Sequence, residues 1–262
     1  MMGRLVSRAN GALMHFYLLI ALLLLWQFAP ALGLVNPMFV PALSTVAREA
    51  GAMTPQTVLL HVWISFWRVL RGFSICAALA LPLAFLMAGA APKASGALGM
   101  LMSFLSQIPA YILYPIIVLL WGSGDRAILT VICWSGFWPL LFTAIQGIRD
   151  VDPKLILCAR AMGTNPILLF GKIILPAVFP NIMRGVRIGL TNSFLILIGA
   201  ETMGGENGIG WMISNAQRMA KIPRIYLGVI LAAALGFLLN FIVARVERRV
   251  VRWKPVTEDL NI

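Results

Sequence analysis

Long apolar runs separated by short polar segments alternate along the whole chain. The runs centre on residues 11–35, 72–91, 97–121, 127–147, 182–203 and 225–244. A helix needs about 20 mainly apolar residues to cross the hydrocarbon core of a bilayer, so the pattern predicts about six membrane-spanning helices. Because the runs leave no stretch for a separate soluble domain, residues 1–262 are predicted to form one all-α membrane domain.

Four prolines fall inside these runs, namely Pro82, Pro109, Pro115 and Pro139. Proline lacks a backbone donor, so neighbouring helices must satisfy the carbonyl groups that it frees. The spans are therefore predicted to be kinked and tightly packed.

The composition agrees with a membrane location, because 60% of the residues are hydrophobic and only 11% are charged. The net charge is +12, but the basic residues collect at the ends of apolar runs, where lipid headgroups and topology explain them. Membrane lipid is thus an expected partner, and nucleic acid is not.

Basic residues are distributed unevenly between alternate ends of the runs. With a cytoplasmic N-terminus, the inside segments hold 14 bases: Arg4, Arg8, Lys93, Arg149, Lys154, Arg160, Lys172, Arg184, Arg187, Arg245, Arg248, Arg249, Arg252 and Lys254. The outside segments hold 7: Arg48, Arg68, Arg71, Arg126, Arg218, Lys221 and Arg224. Inside loops carry the excess of Lys and Arg, so both termini are predicted to be cytoplasmic.

Two outer segments are more than simple turns. In the stretch 36–71, the prolines of NPMFVP exclude a helix start before about Ala42. Its later part, TVLLHVWISFWRVL, fits either an interfacial helix or the outer turns of the second span. The stretch 204–224 contains GGENGIG, which predicts a glycine-rich turn.

The inner segment between the fourth and fifth spans reads RDVDPKLILCARAMGTNPILLFGKIILPAVFP. Asp152 before Pro153 predicts a capped helix start, and Gly163 predicts the end of that helix. Thr164 and Asn165 before Pro166 offer a second cap, followed by a short helix to about Ile174. Such an apolar hairpin needs either a groove on a partner protein or a lipid surface to cover it.

The hairpin also has a specific residue order. Gly163 is followed after nine residues by Ile173 and then, one residue further on, by Leu175 and Pro176. Ala159 lies four residues before the glycine. This order resembles the EAA loop of ABC importer permeases, which docks on the ATPase subunit. In this chain Leu157 stands where that family usually has glutamate, and Cys158 replaces the first alanine.

The resemblance implies a cytoplasmic coupling loop at residues 148–180. Its ATPase-coupling residues would be Leu157, Ala159, Arg160, Met162, Gly163, Thr164, Leu175 and Pro176.

Other segments resemble the nitrate, sulfonate and taurine branch of these permeases, namely NPMFVPALSTV, SFWRVLRGF, Asp152-Pro153 and Gly208-Ile209-Gly210. The resemblance implies the type I ABC importer permease (MetI-like) fold and a homodimer of six-helix subunits in the bacterial plasma (inner) membrane. It also implies two ABC ATPase subunits and a periplasmic or lipid-anchored solute-binding protein as partners. The expected function is a translocation pathway for a small solute, with an anion as one option.

No catalytic or metal site is expected in the sequence. A phosphate-binding loop of the type GxxxxGK[ST] is absent, so ATP and Mg are expected on the partner ATPase subunits and no cofactor on this chain. The only histidines, His15 and His61, lack a nearby set of ligands and are predicted to be packing residues.

Polar residues inside the spans mark either a pathway or contacts between helices. The predicted pathway residues are Gln107, Asn192, Ser193 and Glu201, while Ser106 and Asn240 are also polar. Glu201 lies near the outer end of its span, where it could instead pair with a base such as Arg224 or help to form an outer gate.

Arg68 and Arg71 are three residues apart, so they share one helix face at the predicted outer mouth. There they could attract an anion, or they could extend towards the lipid headgroups.

Two other classes of membrane protein fit the sequence less well than a permease does. A secondary transporter would show paired broken helices and an internal repeat, and the two halves show no convincing match. An intramembrane enzyme would need a nucleophile with a base or a metal site within the membrane, and the shortage of histidines argues against this class. A permease alone explains the hairpin, the charge asymmetry and the missing nucleotide motif together, and a secondary transporter without an ATPase partner is the alternative.

Overall fold

The computed structural model describes residues 17–18, 20–90 and 94–250, and these residues contain helices and turns but no strand. His15 and the first part of the run 11–35 lie outside them. The helices are α1 (20–28), α2 (Leu43–Ala52), α3 (Pro55–Phe85), α4 (Ala94–Ser106), α5 (Ala110–Trp121), α6 (Asp125–Arg149), α7 (Pro153–Ala161), α8 (Pro166–Leu169), α9 (Leu175–Gly204), α10 (Ile209–Arg218) and α11 (Ile222–Val250).

Four helical segments of the described chain are long and apolar enough to cross a membrane. They are Pro55–Ala88, Asp125–Arg149, Pro166–Gly204 and Ile222–Val250. They correspond to the second, fourth, fifth and sixth predicted spans, so the all-α membrane architecture is confirmed. Each is longer than its predicted apolar run, because the helix continues into the residues that flank the run.

The third predicted span is not one straight helix. Leu98–Ser106 and Ala110–Trp121 meet at an angle of 92°. Pro109 lies at the break, where it cannot donate to the preceding turn and disfavours a helical conformation for Ile108. The expected kink is therefore a broken span or a re-entrant loop, whereas Pro82, Pro115 and Pro139 remain inside helices.

The two segments that were predicted to lie outside contain more helix than the sequence indicated. Helix α2 begins at Leu43, which confirms the boundary near Ala42. Helix α3 begins at Pro55, so TVLLHVWISFWRVL forms the first turns of the second span. The turn at Gly205 to Gly208 is present, but α10 follows it directly and was missed because its apolar stretch is short.

Helix α6 lies at the centre of the molecule, between α3 and α9, and half of its apolar membrane-spanning stretch is buried. Small residues bring these helices together. A Cβ atom at Gly189 of α9 would lie 2.9 Å from the Gly136 carbonyl oxygen of α6 and 3.0 Å from the Phe73 ring of α3. Glycine at such positions lets helix backbones approach closely inside a membrane. The three helices thus form one packed unit.

The second helix of the hairpin does not end before Pro176. Helix α8 continues through a π-helical turn at Phe170–Ile174 directly into α9. Pro176 offers no N–H to the carbonyl group of the preceding turn, and a wider π-helical turn next to it accommodates this loss without ending the helix. The result is one helical segment, Pro166–Gly204, of 39 residues.

Candidate functional site

The hairpin, defined as residues 152–170, has the predicted caps and turn. The Asp152 carboxylate accepts a hydrogen bond from the Lys154 backbone N–H at 2.9 Å. The Asn165 side chain accepts one from the Ile167 N–H at 3.1 Å. Between the two helices, Gly163 has φ +72°, a left-handed conformation that favours glycine. These contacts fix a helix, a tight turn and a second helix.

The surface of the hairpin is unusually apolar. The side chains of Leu157, Met162 and Ile167 are 64%, 86% and 79% exposed. Contiguous exposed apolar surface of this kind marks a site of contact with a protein or a membrane. The hairpin therefore has an uncovered apolar face at one end of the membrane helices.

The predicted coupling residues do not all lie at this surface. Leu157, Arg160, Met162 and Gly163 are exposed at the tip, while Ala159 is buried and Thr164 donates its hydroxyl to the Ala159 carbonyl. Leu175 and Pro176 are half-buried beyond the π-helical turn, where Leu175 packs against the membrane core. The structure thus separates the tip from the helix that carries it.

A cleft of about 500 Å³ opens at the break between α4 and α5. Gln107 and Asn192, two of the predicted pathway residues, line it together. Aromatic rings and two serine side chains complete much of the wall, and the lining is Ser106, Gln107, Ile108, Pro109, Ala110, Tyr111, Trp134, Ser135, Trp138, Pro139, Phe142, Asn192 and Ile196.

Ser193 does not reach this cleft. It is fully buried, and its hydroxyl donates to the Ile132 carbonyl oxygen at 3.0 Å. A Cβ atom at Gly136 would lie 2.5 Å from the Ser193 Oγ. Ser193 is therefore a contact between α6 and α9, which was the structural alternative for this residue.

Glu201 also lies away from the cleft, in a buried polar cluster at the end of the molecule opposite the hairpin. Its side chain is 1% exposed. Its carboxylate accepts hydrogen bonds from the Ser65 hydroxyl at 2.8 Å, the Arg68 Nη1 at 2.9 Å and the Gly210 N–H at 2.9 Å. A buried carboxylate is tolerated only when it is paired and hydrogen-bonded in this way. We call these residues, with His61 and Asp125, the Glu201 cluster.

The first N–H groups of α10 end in the same cluster. Gly208 donates to the His61 Nδ1 at 3.1 Å, and Ile209 donates to the Ser65 Oγ at 2.9 Å. Helix N-termini carry such unpaired N–H groups and favour a negative charge, which Glu201 supplies. His61 is a packing residue, as predicted, and its ring also lies 5.2 Å from that of Trp211.

Arg68 and Arg71 have different surroundings despite their spacing. Arg68 is buried, and its Nη2 binds the Asp125 carboxylate at 2.6 Å while its Nη1 binds Glu201. Arg71 is exposed and lies over the Trp67 ring at 5.9 Å. Arg68 is therefore neither a free charge at a mouth nor an arginine that extends to the headgroups.

The pairing of Glu201 with Arg224 was wrong. Arg224 binds Glu49 of α2 at 2.7 Å, which ties α2 to the start of α11. The sequence spacing did not show either pairing, because the partners are 133 and 175 residues apart. Within the described ranges, no group of three or more His, Cys, Asp or Glu residues could hold a metal ion.

The cluster predicts a strong coupling between Arg68 and Glu201. Replacing Arg68 with methionine leaves a buried, unpaired carboxylate and should destabilise the fold by about 3–5 kcal/mol. The double variant R68M/E201M should be destabilised by much less than the sum of the two single variants. The measurement is unfolding of the detergent-purified chain.

Asp125→Asn is the control, because the Asp125 side chain is 57% exposed and should contribute little. Equal stability of R68M and the wild-type chain, or simple additivity of R68M and E201M, would contradict this role of the cluster.

Comparisons with known proteins agree with this architecture. The chain is 31% identical to SsuC of Escherichia coli K12, to which aliphatic sulfonates transport is assigned, over 92% of this chain and 91% of that protein. It is 26% identical to the taurine transport system permease protein TauC of the same organism, over 90% and 87%. It also aligns with a chain of the inward-facing MetNI methionine ABC transporter at a TM-score of 0.64 and 19% identity, over 76% of this chain and 99% of that one.

The last alignment shows that the fold is that of ABC importer permeases. Residues 80–252 match the family of the binding-protein-dependent transport system inner membrane component. With its long apolar helices, the chain is a multi-pass membrane protein and a transport permease rather than an enzyme. The chain therefore belongs to the binding-protein-dependent transport system inner membrane component family, whose members are permease subunits of ABC importers.

Proposed function

We propose that two copies of this chain form the translocation pathway of an ABC importer for a small anionic solute, and that each hairpin couples one copy to an ATPase subunit. A solute-binding protein delivers the solute at the opposite end. ATP and Mg are bound by the ATPase subunits, so this chain contributes motion and a passage but no chemistry. The exposed apolar hairpin is the observation that carries the proposal.

The shape and composition of the hairpin support docking on a protein. Its caps hold two short helices around Gly163, and its most exposed side chains are Met162 and Ile167 on either side of that turn. An amphipathic helix that presents such residues binds by burying them in a partner groove. Leu157 supplies apolar contact where the family has a carboxylate, so docking relies on shape rather than on that charge.

The continuous helix behind the hairpin supports transmission of the motion. The segment Pro166–Gly204 would be about 58 Å long at 1.5 Å per residue. It begins in the hairpin, packs along α6 and ends at Glu201 and the turn before α10. A displacement of the hairpin would therefore move the packed unit of α3, α6 and α9.

The cleft supports a polar passage near the middle of the membrane. Gln107 and Asn192 present amide groups there, and none of the lining residues is acidic, which suits an anion. Relatives of this chain are named for transport of aliphatic sulfonates and of bicarbonate, both of which are anions, and this agrees with an anionic solute. Of the four predicted pathway residues, we retain Gln107 and Asn192.

The distribution of bases supports an orientation in the bacterial plasma (inner) membrane. The segments predicted to lie inside, which include the hairpin and the end of α11, hold 14 of the 21 basic residues, which favours the cytoplasmic side for both. The hairpin then meets the ATPase where ATP is present, and both termini are cytoplasmic.

The first test replaces Gly163 with valine. A β-branched residue at φ +72° should cost about 1–3 kcal/mol of local strain and distort the turn. The variant should insert normally in vesicles with its ATPase and binding protein, but should lose most ATP-driven uptake and solute-stimulated ATP hydrolysis.

Gly33→Val is a matched control, because Gly33 has φ +70° and, like Gly163, would place a Cβ atom in open space. Wild-type uptake by G163V would show that this turn does not couple the ATPase to transport. The same vesicles test the orientation. In a Cys158→Ser background, a cysteine that replaces Met162 should react with an impermeant thiol reagent only from the side to which ATP is supplied.

The second test concerns the cleft. Gln107→Leu and Asn192→Leu should each lower ATP-driven uptake of an anionic solute several-fold, because each removes an amide from the cleft wall. Gln146→Leu removes a similar amide outside the cleft and should leave uptake unchanged. Unaltered uptake in both cleft variants, at normal yield of the complex, would place the pathway elsewhere.

A further inference from the structure

A second, smaller cavity lies between α9 and α11, on the side of the hairpin. Its volume is about 310 Å³, and we call it the groove. Its wall is mainly apolar, with three polar residues, and consists of Arg187, Leu190, Thr191, Phe194, Leu195, Ala233, Gly236, Phe237, Leu239, Asn240 and Val243. None of the predicted coupling or pathway residues lines it.

We propose that the groove binds one anionic phospholipid from the leaflet on the hairpin side. The headgroup phosphate would lie against Arg187 and its neighbouring arginines, and an acyl chain would lie along Phe194, Gly236 and Phe237.

The first argument is the charge at the end of the groove. Residues 184–187 and 245–249 contain five exposed arginines and one glutamate, a net charge of +4. Arg187 binds Glu247, Arg245 lies over the Phe241 ring at 5.9 Å, and Arg184, Arg248 and Arg249 are exposed within three residues of one member of the pair. Basic pockets between membrane helices attract anionic lipid headgroups, and the field falls off within a Debye length. A zwitterionic lipid gains less from the same charges.

The second argument is the depth of these arginines. Helix α11 contains twenty uncharged residues between Arg224 and Arg245. At 1.5 Å per residue they span about 30 Å, which is the thickness of the hydrocarbon core. Arg245 and Arg187 therefore lie at the level of one set of headgroups, and the groove extends inward from them.

The third argument is Asn240. This side chain is exposed on α11 and makes no hydrogen bond to any part of the chain that the structure describes. It lies five residues inward from Arg245, about 7–8 Å along the helix. An amide without a partner is costly in hydrocarbon, but the ester carbonyls of a phospholipid lie just below its phosphate and would accept this N–H.

The order of groups along the groove thus matches the order of groups in a phospholipid. Arginine is followed by an amide and then by an apolar channel. The floor of that channel is narrow because Gly236 is in contact with the Phe194 ring, where a Cβ atom would lie 2.8 Å away. Glycine here lets the two helices close this floor, so an acyl chain would lie on it and not between the helices.

The test uses native mass spectrometry of the full-length chain in a neutral detergent. Titration with dioleoylphosphatidylglycerol should leave one lipid that resists collisional release, with several-fold higher occupancy than dioleoylphosphatidylcholine. Asn240→Leu combined with Arg187→Gln should reduce this preference several-fold. Arg126→Gln is the control, since Arg126 is an exposed arginine at the start of α6, the end that lies away from the hairpin.

Glu247→Gln provides a readout that loss of folding would not give. Glu247 competes with the phosphate for Arg187, so its removal should increase the occupancy of phosphatidylglycerol. Equal occupancy of the two lipids, or an equal loss in R126Q, would overturn the proposal. So would efficient cross-linking between two copies through a cysteine that replaces Ala233, because the groove would then be covered by a second copy.

Discussion

The burial of one carboxylate determines how the helices are arranged at the end of the molecule opposite the hairpin. Glu201 has almost no contact with solvent, so both of its carboxylate oxygens need hydrogen-bond donors. Ser65 and Arg68 of α3 and the N-terminus of α10 provide these donors. Since Arg68 also binds Asp125 at the start of α6, a single charge network links four helices. A shift of any of these helices would expose or unpair a charge.

This constraint gives the long helix that contains α9 two distinct ends. One end is held by the Glu201 cluster, and the other continues into the hairpin, whose apolar side chains at Leu157, Met162 and Ile167 are exposed. Between them, glycines bring α9 into contact with α6 and α3, so α9 has little freedom to bend beyond the π-helical turn. Such a unit suits a permease that an external ATPase drives, because a force applied to the hairpin is carried into the membrane.

Much of the fold could be predicted from the sequence, because the length of each apolar run shows whether its helix can cross a membrane. The four long spans, the caps at Asp152 and Asn165 and the left-handed turn at Gly163 all depend on residues close together in the chain. Pro176 was misjudged as a helix end, because a π-helical turn next to a proline leaves no mark in the apolar pattern. The break at Pro109 was expected only as a kink, because the apolar run continues through this proline.

The polar sites were less predictable, because their partners are distant in sequence. Gln107 and Asn192 could be chosen as polar residues within apolar runs, and the structure brings them to one cleft. Ser193 has the same signal but faces a helix contact, since neighbouring residues of a helix point in different directions. The pairing of Arg68 with Glu201 leaves only one trace in the sequence, which is the presence of charged residues near span ends. Residue type at a given depth therefore does not distinguish a pathway from a structural ion pair.

The central claim is that the hairpin and the Glu201 cluster move as one body. Spin labels at Met162 and Glu206, on opposite ends of the molecule, report the distance between these two regions within one chain. Labelled chains would be diluted with unlabelled ones and reconstituted with the ATPase and the binding protein. If the body is rigid, this distance is the same with and without ATP while uptake proceeds. A distance that changes with ATP would show that the hairpin moves independently of the cluster and would contradict the claim.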